Sequence, residues 1–205
     1  MNVEDLPDIL PLYKAAGTIL LPRAQLPLIM TDRAGRTALD AALAERHRLL
    51  GIVQTHPDGG HFQKGCVGRI ISFQEESRPF VLLQGLCRFH IHEIATTSPL
   101  KARVTYTGYE ADLEDSSADP FMDRPRLLDR LKAYLSDQDI AANWDEIDHA
   151  SDDLILNSLT MACPFEPIEK QALLETDSLS ERCDMMIALM EMSHPYFPRQ
   201  GPVLH

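Results

Sequence analysis

Hydrophobic and polar positions alternate most clearly between residues 65 and 94. One run reads Gly65-Cys66-Val67-Gly68-Arg69-Ile70-Ile71-Ser72-Phe73; a second runs from Phe80 to Ile91, with a turn-like Glu76-Ser77-Arg78-Pro79 between them. Successive side chains along a strand point to opposite faces. Val81, Leu83, Cys87, Phe89 and Ile91 therefore share one side, and Gln84, Arg88, His90 and His92 share a side predicted to be solvated. Glycines at 65, 68 and 85 weaken a strand unless they mark a bulge, a bend or a close backbone approach. Three of them in one hairpin predict a sheet that curls into a barrel.

The flanking patterns supply the remaining elements. Residues 6–12 and 18–21 are short apolar segments interrupted or followed by Pro7, Pro11, Pro22 and Pro27, which predicts outer strands. Ala38, Leu39, Ala42, Leu43 and Arg46 keep helical spacing behind Thr37, predicting a helix over 37–47. Residues 49–54 read as a continuously buried strand, 55–61 as a loop, and 102–109 as an alternating strand. Beyond the acidic stretch 111–120 the period changes from 2 to 3.6. Leu127, Leu128, Leu131, Tyr134 and Leu135 form one stripe; Trp144, Ile147, Leu154, Ile155, Leu159 and Ala162 form a second. Pro167 suits a first helical turn, and Ser178-Leu179-Ser180-Glu181 opens a last helix as a capping box. The expected class is α+β: a small bent β-barrel with one helix over 1–110, an acidic connector over 111–122, a C-terminal α-helical bundle over 123–194 and a Pro-rich tail over 195–205.

The central hairpin, with Leu83-Gln84-Gly85-Leu86-Cys87-Arg88-Phe89 in its second strand, resembles the N-terminal, substrate-binding domain of Lon proteases. The likeness continues upstream through Ile9-Leu10-Pro11-Leu12, Ile19-Leu20-Leu21-Pro22 and Leu26-Pro27-Leu28. Downstream it continues through Pro164-Phe165-Glu166-Pro167-Ile168-Glu169-Lys170-Gln171, which is similar to the helical part of stand-alone bacterial Lon-domain proteins. The resemblance implies a PUA-like barrel and a role in recognising polypeptides. The chain departs from the family pattern at Ile29-Met30-Thr31-Asp32-Arg33-Ala34, where many members have Phe-Glu-x-Arg-Tyr.

Composition narrows the partners. Residues 1–110 hold 12 Lys/Arg against 11 Asp/Glu, a net of +1, and residues 111–205 hold 7 against 20, a net of −13, so the excess acidity of the chain, −12 in all, lies in the second half. That half repels a phosphate backbone, and no nucleic acid partner is expected. No apolar run is long enough for a membrane span, and the start lacks the pattern of a signal peptide, so no membrane partner and a cytoplasmic location are expected. Cysteines 66, 87, 163 and 183 sit in apolar patterns without a Cys-x-x-Cys pair and are expected to be reduced core thiols.

Motifs for chemistry are sparse. There is no Gly-x-Ser-x-Gly elbow, no His-Glu-x-x-His helix and no Gly-x-x-x-x-Gly-Lys loop. The motor and serine-lysine protease modules of full-length Lon are also absent from the 205 residues, so the expected function is non-enzymatic, with no catalytic residue, cofactor or metal. The expected partners are unfolded or apolar polypeptide segments, together with a protease or chaperone to which they are presented, and the protein is expected to be a monomer or weak dimer. Candidate contact residues are Phe62 in the glycine-rich loop, Arg88, Phe121 and Met122 at the connector, and Met185 and Met192, which lie off the apolar stripe of the last helix. An open sheet edge could also take up an extended peptide. Two alternatives remain: a metal- or small-molecule-dependent enzyme using the His90/His92 strand face, and an RNA-binding barrel using Arg69, Arg88 and Arg103.

Overall fold

The two longest strands dictate the shape. In the computed structural model, which describes residues 2–75, 78–95, 97–114 and 122–193, β4 (His61–Gln74) and β5 (Phe80–Ala95) pair antiparallel along most of their length. Their register shifts between Val67 and Gly68 and between Ile70 and Ser72. Such bulges bend a strand and raise its twist. As a result β5 serves different neighbours at its two ends: Phe80 to Gln84 pair with β2 (Gln25–Ile29), and His90 to Ala95 pair with β6 (Lys101–Thr105). Gly85 lies between the two halves, where a Cβ would fall on the Leu21 carbonyl oxygen, so only glycine fits that crossing.

β6 also pairs with β1 (Ile9–Ala15), β1 pairs in parallel with β3 (Leu49–Thr55), and β3 pairs with β4. Strands β1, β3, β4, β5 and β6 thus close a ring, and β2 is added on β5 as the sixth strand of the sheet. The parallel connection from β1 to β3 passes through α1 (Arg33–Ala44), whose Ala38, Leu39 and Ala42 are buried with Met30, Leu50, Ile52, Val81 and Leu83. The other face of β3 and β4 carries Val53 and Val67, which pack with Leu10, Leu12, Phe89, Ala102 and Val104. Burying each such side chain is worth about 1.5–3 kcal/mol relative to exposure.

Five helices follow: α2 (Arg124–Asp137), α3 (Trp144–His149), α4 (Asp152–Ala162), α5 (Pro167–Glu175) and α6 (Leu179–Met192). The stripes Leu127, Leu131, Tyr134 and Leu135 of α2 and Cys183, Met186, Ile187 and Met190 of α6 meet in one core with Ile155, Leu156 and Phe165. Pro167 occupies the first turn of α5, where its missing N–H costs nothing. The whole is a mixed α+β structure, and among the described residues no helix is long and apolar enough to cross a membrane.

Four local expectations are revised. The helix expected over 37–47 begins at Arg33, because Asp32 caps it by accepting from Gly35 N at 2.7 Å. Thr37 instead turns its hydroxyl back to the Arg33 and Ala34 carbonyls at 2.9 and 3.0 Å. β1 is an interior strand rather than an outer one. Residues 18–21 are not a strand: Ile19 and Leu21 pack against Leu174 of α5, filling the join between sheet and helices. The expected turn residues Glu76 and Ser77, most of the expected connector and the 195–205 tail lie outside the described residues.

Candidate functional site

Residues directly opposed across strands point to the same face, so the sheet register assigns each side chain of β2, β5 and β4 to one side. Leu26 opposes Leu83 and Leu28 opposes Val81, and these face the core. The outer face carries Gln25, Pro27 and Ile29 on β2, Gln84, Leu82 and Phe80 on β5, and Ser72 and Gln74 on β4. Ile71, in the bulge between Ile70 and Ser72, is 46% exposed, and Ile29 is 56% exposed. Pro27, Ile29, Ile71, Phe80 and Leu82 thereby form an apolar area on the outside of the sheet, with Phe80 and Leu82 half-buried.

At its Gln25/Gln84 end this face runs into a cleft of about 650 Å³ between the sheet and helices α3 and α4. The far wall presents Ile147, Leu154, Ile155 and Leu159, and Arg23 and Glu146 add charge. Two arginines hold that wall in place. Arg124 donates to the Ile147, Asp148 and Ala150 carbonyls at 2.9–3.0 Å and to Asp152 at 2.7 Å, bracing the break between α3 and α4. Arg23 pairs with Asp153 of α4 and donates to the Glu114 carbonyl, joining the sheet side to the wall. Gln84 donates to the Arg23 carbonyl, which fixes the floor.

The free edge of β2 borders the same face. Gly85 N donates to the Ala24 carbonyl and Met30 N to the Pro79 carbonyl, both at 2.9 Å, so even-numbered residues of this segment point their backbone groups at β5. Gln25, Pro27 and Ile29 turn theirs outward, and Pro27 has no N–H to offer there. The middle of this edge is thus a poor template for an added strand, which leaves side-chain contact on the outer face as the better-supplied mode.

The residues singled out from sequence do not converge on this face. Arg88 does not share the face of Gln84: the bulge at Leu86 sets it opposite Cys66, on the face of Ile70 and Leu83, and it is 6% exposed. Its guanidinium forms a two-bond pair with Asp112 at 2.9 Å each, donates to the Thr176 carbonyl at 2.6 Å and lies 4.6 Å from the centre of the Tyr109 ring. Residues around Asp112 and the end of α5 cover what alternation alone reads as a solvated face. Met122 is buried and Met185 half-buried in the helical core, Met192 is 65% exposed at the end of α6, and Phe62 lies at the start of β4 rather than in the glycine-rich loop, half-buried and in edge-on contact with His56. Phe121 lies outside the described residues.

The alternative histidine site is not built as a ligand set. His90 stacks on Tyr109, its pKa lowered chiefly by burial and then by Lys64, while His92 is exposed. Among the described residues no group of three His, Cys, Asp or Glu side chains is placed to hold a metal ion. All four cysteines are free and buried, and burial pushes each thiol's pKa up. The outer apolar row escaped the sequence reading, although Phe80-Val81-Leu82-Leu83 carries its signal: a run apolar on both faces marks a second contact surface as well as a core.

The fold is that of Lon N-terminal domains. The N-terminal domain of the Mycobacterium avium complex Lon protease superposes with a TM-score of 0.69 at 21% identity, covering 91% of this chain and all of that one. A Lon N-terminal domain protein from Xanthomonas campestris gives 0.62 at 18% identity, covering 88% and 97%. In sequence, the chain is 27% identical to Lon protease 2 of Myxococcus xanthus and 26% identical to the Lon protease of Anaeromyxobacter dehalogenans strain 2CP-C, each over 201 residues and 93% of this chain. It spans about a quarter (24%) of the length of each of those relatives. The family model for the substrate-binding domain of ATP-dependent protease La (Lon) matches residues 9–192. The chain belongs to that family.

Proposed function

We propose that this protein is a non-enzymatic polypeptide-recognition module that engages unfolded or apolar segments on the outer face of β2, β5 and β4 and in the adjoining cleft. The observation that carries this reading is the exposed apolar row Pro27, Ile29, Ile71, Phe80 and Leu82 beside the apolar wall of α3 and α4. A soluble domain gains nothing in stability from such a row, and exposed apolar patches of this kind mark contact sites. Membership of a substrate-binding domain family points the same way. On this reading the closed ring is a PUA-like barrel that serves as a rigid platform, the helical segment is a separate bundle that walls the cleft, and the module works in the cytoplasm, presenting segments to a protease or chaperone as an adaptor in protein quality control.

The test is fluorescence anisotropy of a labelled, permanently unfolded polypeptide titrated with the protein, with the samples run on a gel afterwards. Saturable binding without cleavage is expected. Ile29→Asp combined with Ile71→Asp is expected to weaken it by about 10-fold or more, since two apolar anchors worth roughly 1 kcal/mol each are lost. Unchanged affinity in that variant, with an unchanged melting curve, would remove this face from the function.

A further inference from the structure

Arginines border the apolar row on its β4 side. Arg46, His47, Arg48 and Arg69 line a cavity of about 380 Å³, with Ile70 at its base. Arg69 stands on the same outer face as the row, since it opposes Gln84, which in turn opposes Gln25. The next residues along β4 are the buried Ile70 and then the exposed Ile71. Arg46 and Arg48 reach this position through a tight turn after α1: Arg48 holds a left-handed backbone (φ 49°), donates to the Glu45 carbonyl at 3.2 Å and accepts from Ile70 N at 2.9 Å. A residue with a side chain seldom holds such a backbone, and here it pins the arginine-bearing turn to β4. Glu45, the neighbouring acid, lies 3.9 Å from Lys101.

The cluster runs against the charge of the whole chain, which is −12. Acidic ligands are repelled at long range by that balance, so an acidic group will settle only where cations are concentrated. We infer that the segments bound on the apolar row carry Asp or Glu residues beside their apolar ones, with the acidic part lying over Arg46, Arg48 and Arg69. This rests on the apolar-face reading and adds a selection rule to it. Apolar contact alone discriminates poorly between sequences, whereas a charge of fixed sign along one side of the row rejects lysine-flanked segments by repulsion.

Three labelled peptides sharing one Leu/Ile/Phe core, flanked by Asp and Glu, by Lys, or by Ser and Gly, test this with the intact chain by anisotropy. The acid-flanked peptide is expected to bind about 10-fold tighter than the lysine-flanked one at low salt, the gap shrinking as salt is raised. Arg46→Glu with Arg48→Glu is expected to invert the order, and Arg46→Lys with Arg48→Lys to keep it. If the Glu pair fails to fold, Arg46→Gln with Arg48→Gln is expected to abolish the preference. Equal binding of all three peptides overturns the charge rule and leaves the apolar-face reading standing; no binding of any overturns both. An oligouridylate that binds tighter than the acid-flanked peptide and displaces it assigns the cluster to nucleic acid and overturns the inference as well.

Discussion

Arg88 shows how a single residue joins the two parts of this protein. It stands on β5, its carboxylate partner Asp112 lies just after the last strand, and its remaining donors serve the Leu174 and Thr176 carbonyls at the end of α5. Both side chains of the pair are nearly buried, with side-chain exposures of 7% and 9%. A buried pair adds little over a well-packed apolar substitute, but removing one member strands the other charge. Arg88→Ala is therefore expected to lower unfolding stability by about 3–5 kcal/mol, read from urea denaturation. Arg88→Lys is expected to recover only part of it, since an ammonium cannot reproduce the two-bond fork. Full stability in Arg88→Ala would mean that Asp112 finds water or another cation.

At the scale of elements, α1 owes its start to Asp32. The Gly35 N–H holds the Asp32 carboxyl below the usual carboxylate range, burial opposes this, and the Tyr13 hydroxyl at 3.0 Å adds to the lowering. The same contact, after burial, helps push Tyr13 up to about 12. A carboxyl whose pKa is lower in the folded state contributes stability that is present above its unfolded value, about 4, and is lost as pH falls through the folded value. Asp32→Ala is expected to cost about 1 kcal/mol near neutral pH. The difference from the parent should narrow below about pH 4; urea melts at the two pH values check it, and a gap that stays constant would show that the carboxylate is not the cap.

Elements were legible in the sequence where one residue type had one use. The stripes of α2 and α6 and the Pro167 start reappear in the structure, whereas the alternation of β5 holds only on either side of the bulge at Leu86, which puts Val81 and Leu83 on the opposite face from Cys87 and Phe89. Thr37 misled because its hydroxyl can cap a helix or bond back within one, and the Gly35 inside the first turn disguised the true start. The candidate site was less legible for a physical reason. Which residues stay exposed depends on what folds over them, and Asp112, 24 positions on from Arg88, gives no local sign of the cover. The apolar row was visible only as Phe80 and Leu82 breaking an otherwise polar face.

Across the whole molecule, a sheet core and a helical core meet at a seam built largely from polar side chains. Asn157 of α4 donates to the Pro22 carbonyl at 2.9 Å and accepts from the buried Arg182 at 2.6 Å, while Gln54 of β3 donates to the Pro167 carbonyl at 2.9 Å. Hydrogen bonds fix one docking geometry where apolar contacts alone permit several, and the cleft wall depends on that geometry. A domain with an apolar outer face also faces a hazard from its own kind. Two copies laid edge to edge along β2 would extend the sheet and join their apolar rows into one larger exposed face, the first step of a fibre. Pro27 interrupts that growth by withholding a donor at the centre of the edge, and its ring keeps the row apolar while doing so. Pro27→Val should leave the fold intact but make sedimentation and light scattering depend on concentration; a variant that stays monomeric throughout would place the safeguard elsewhere. One imino acid thus lets the domain keep an apolar outer face without growing through it.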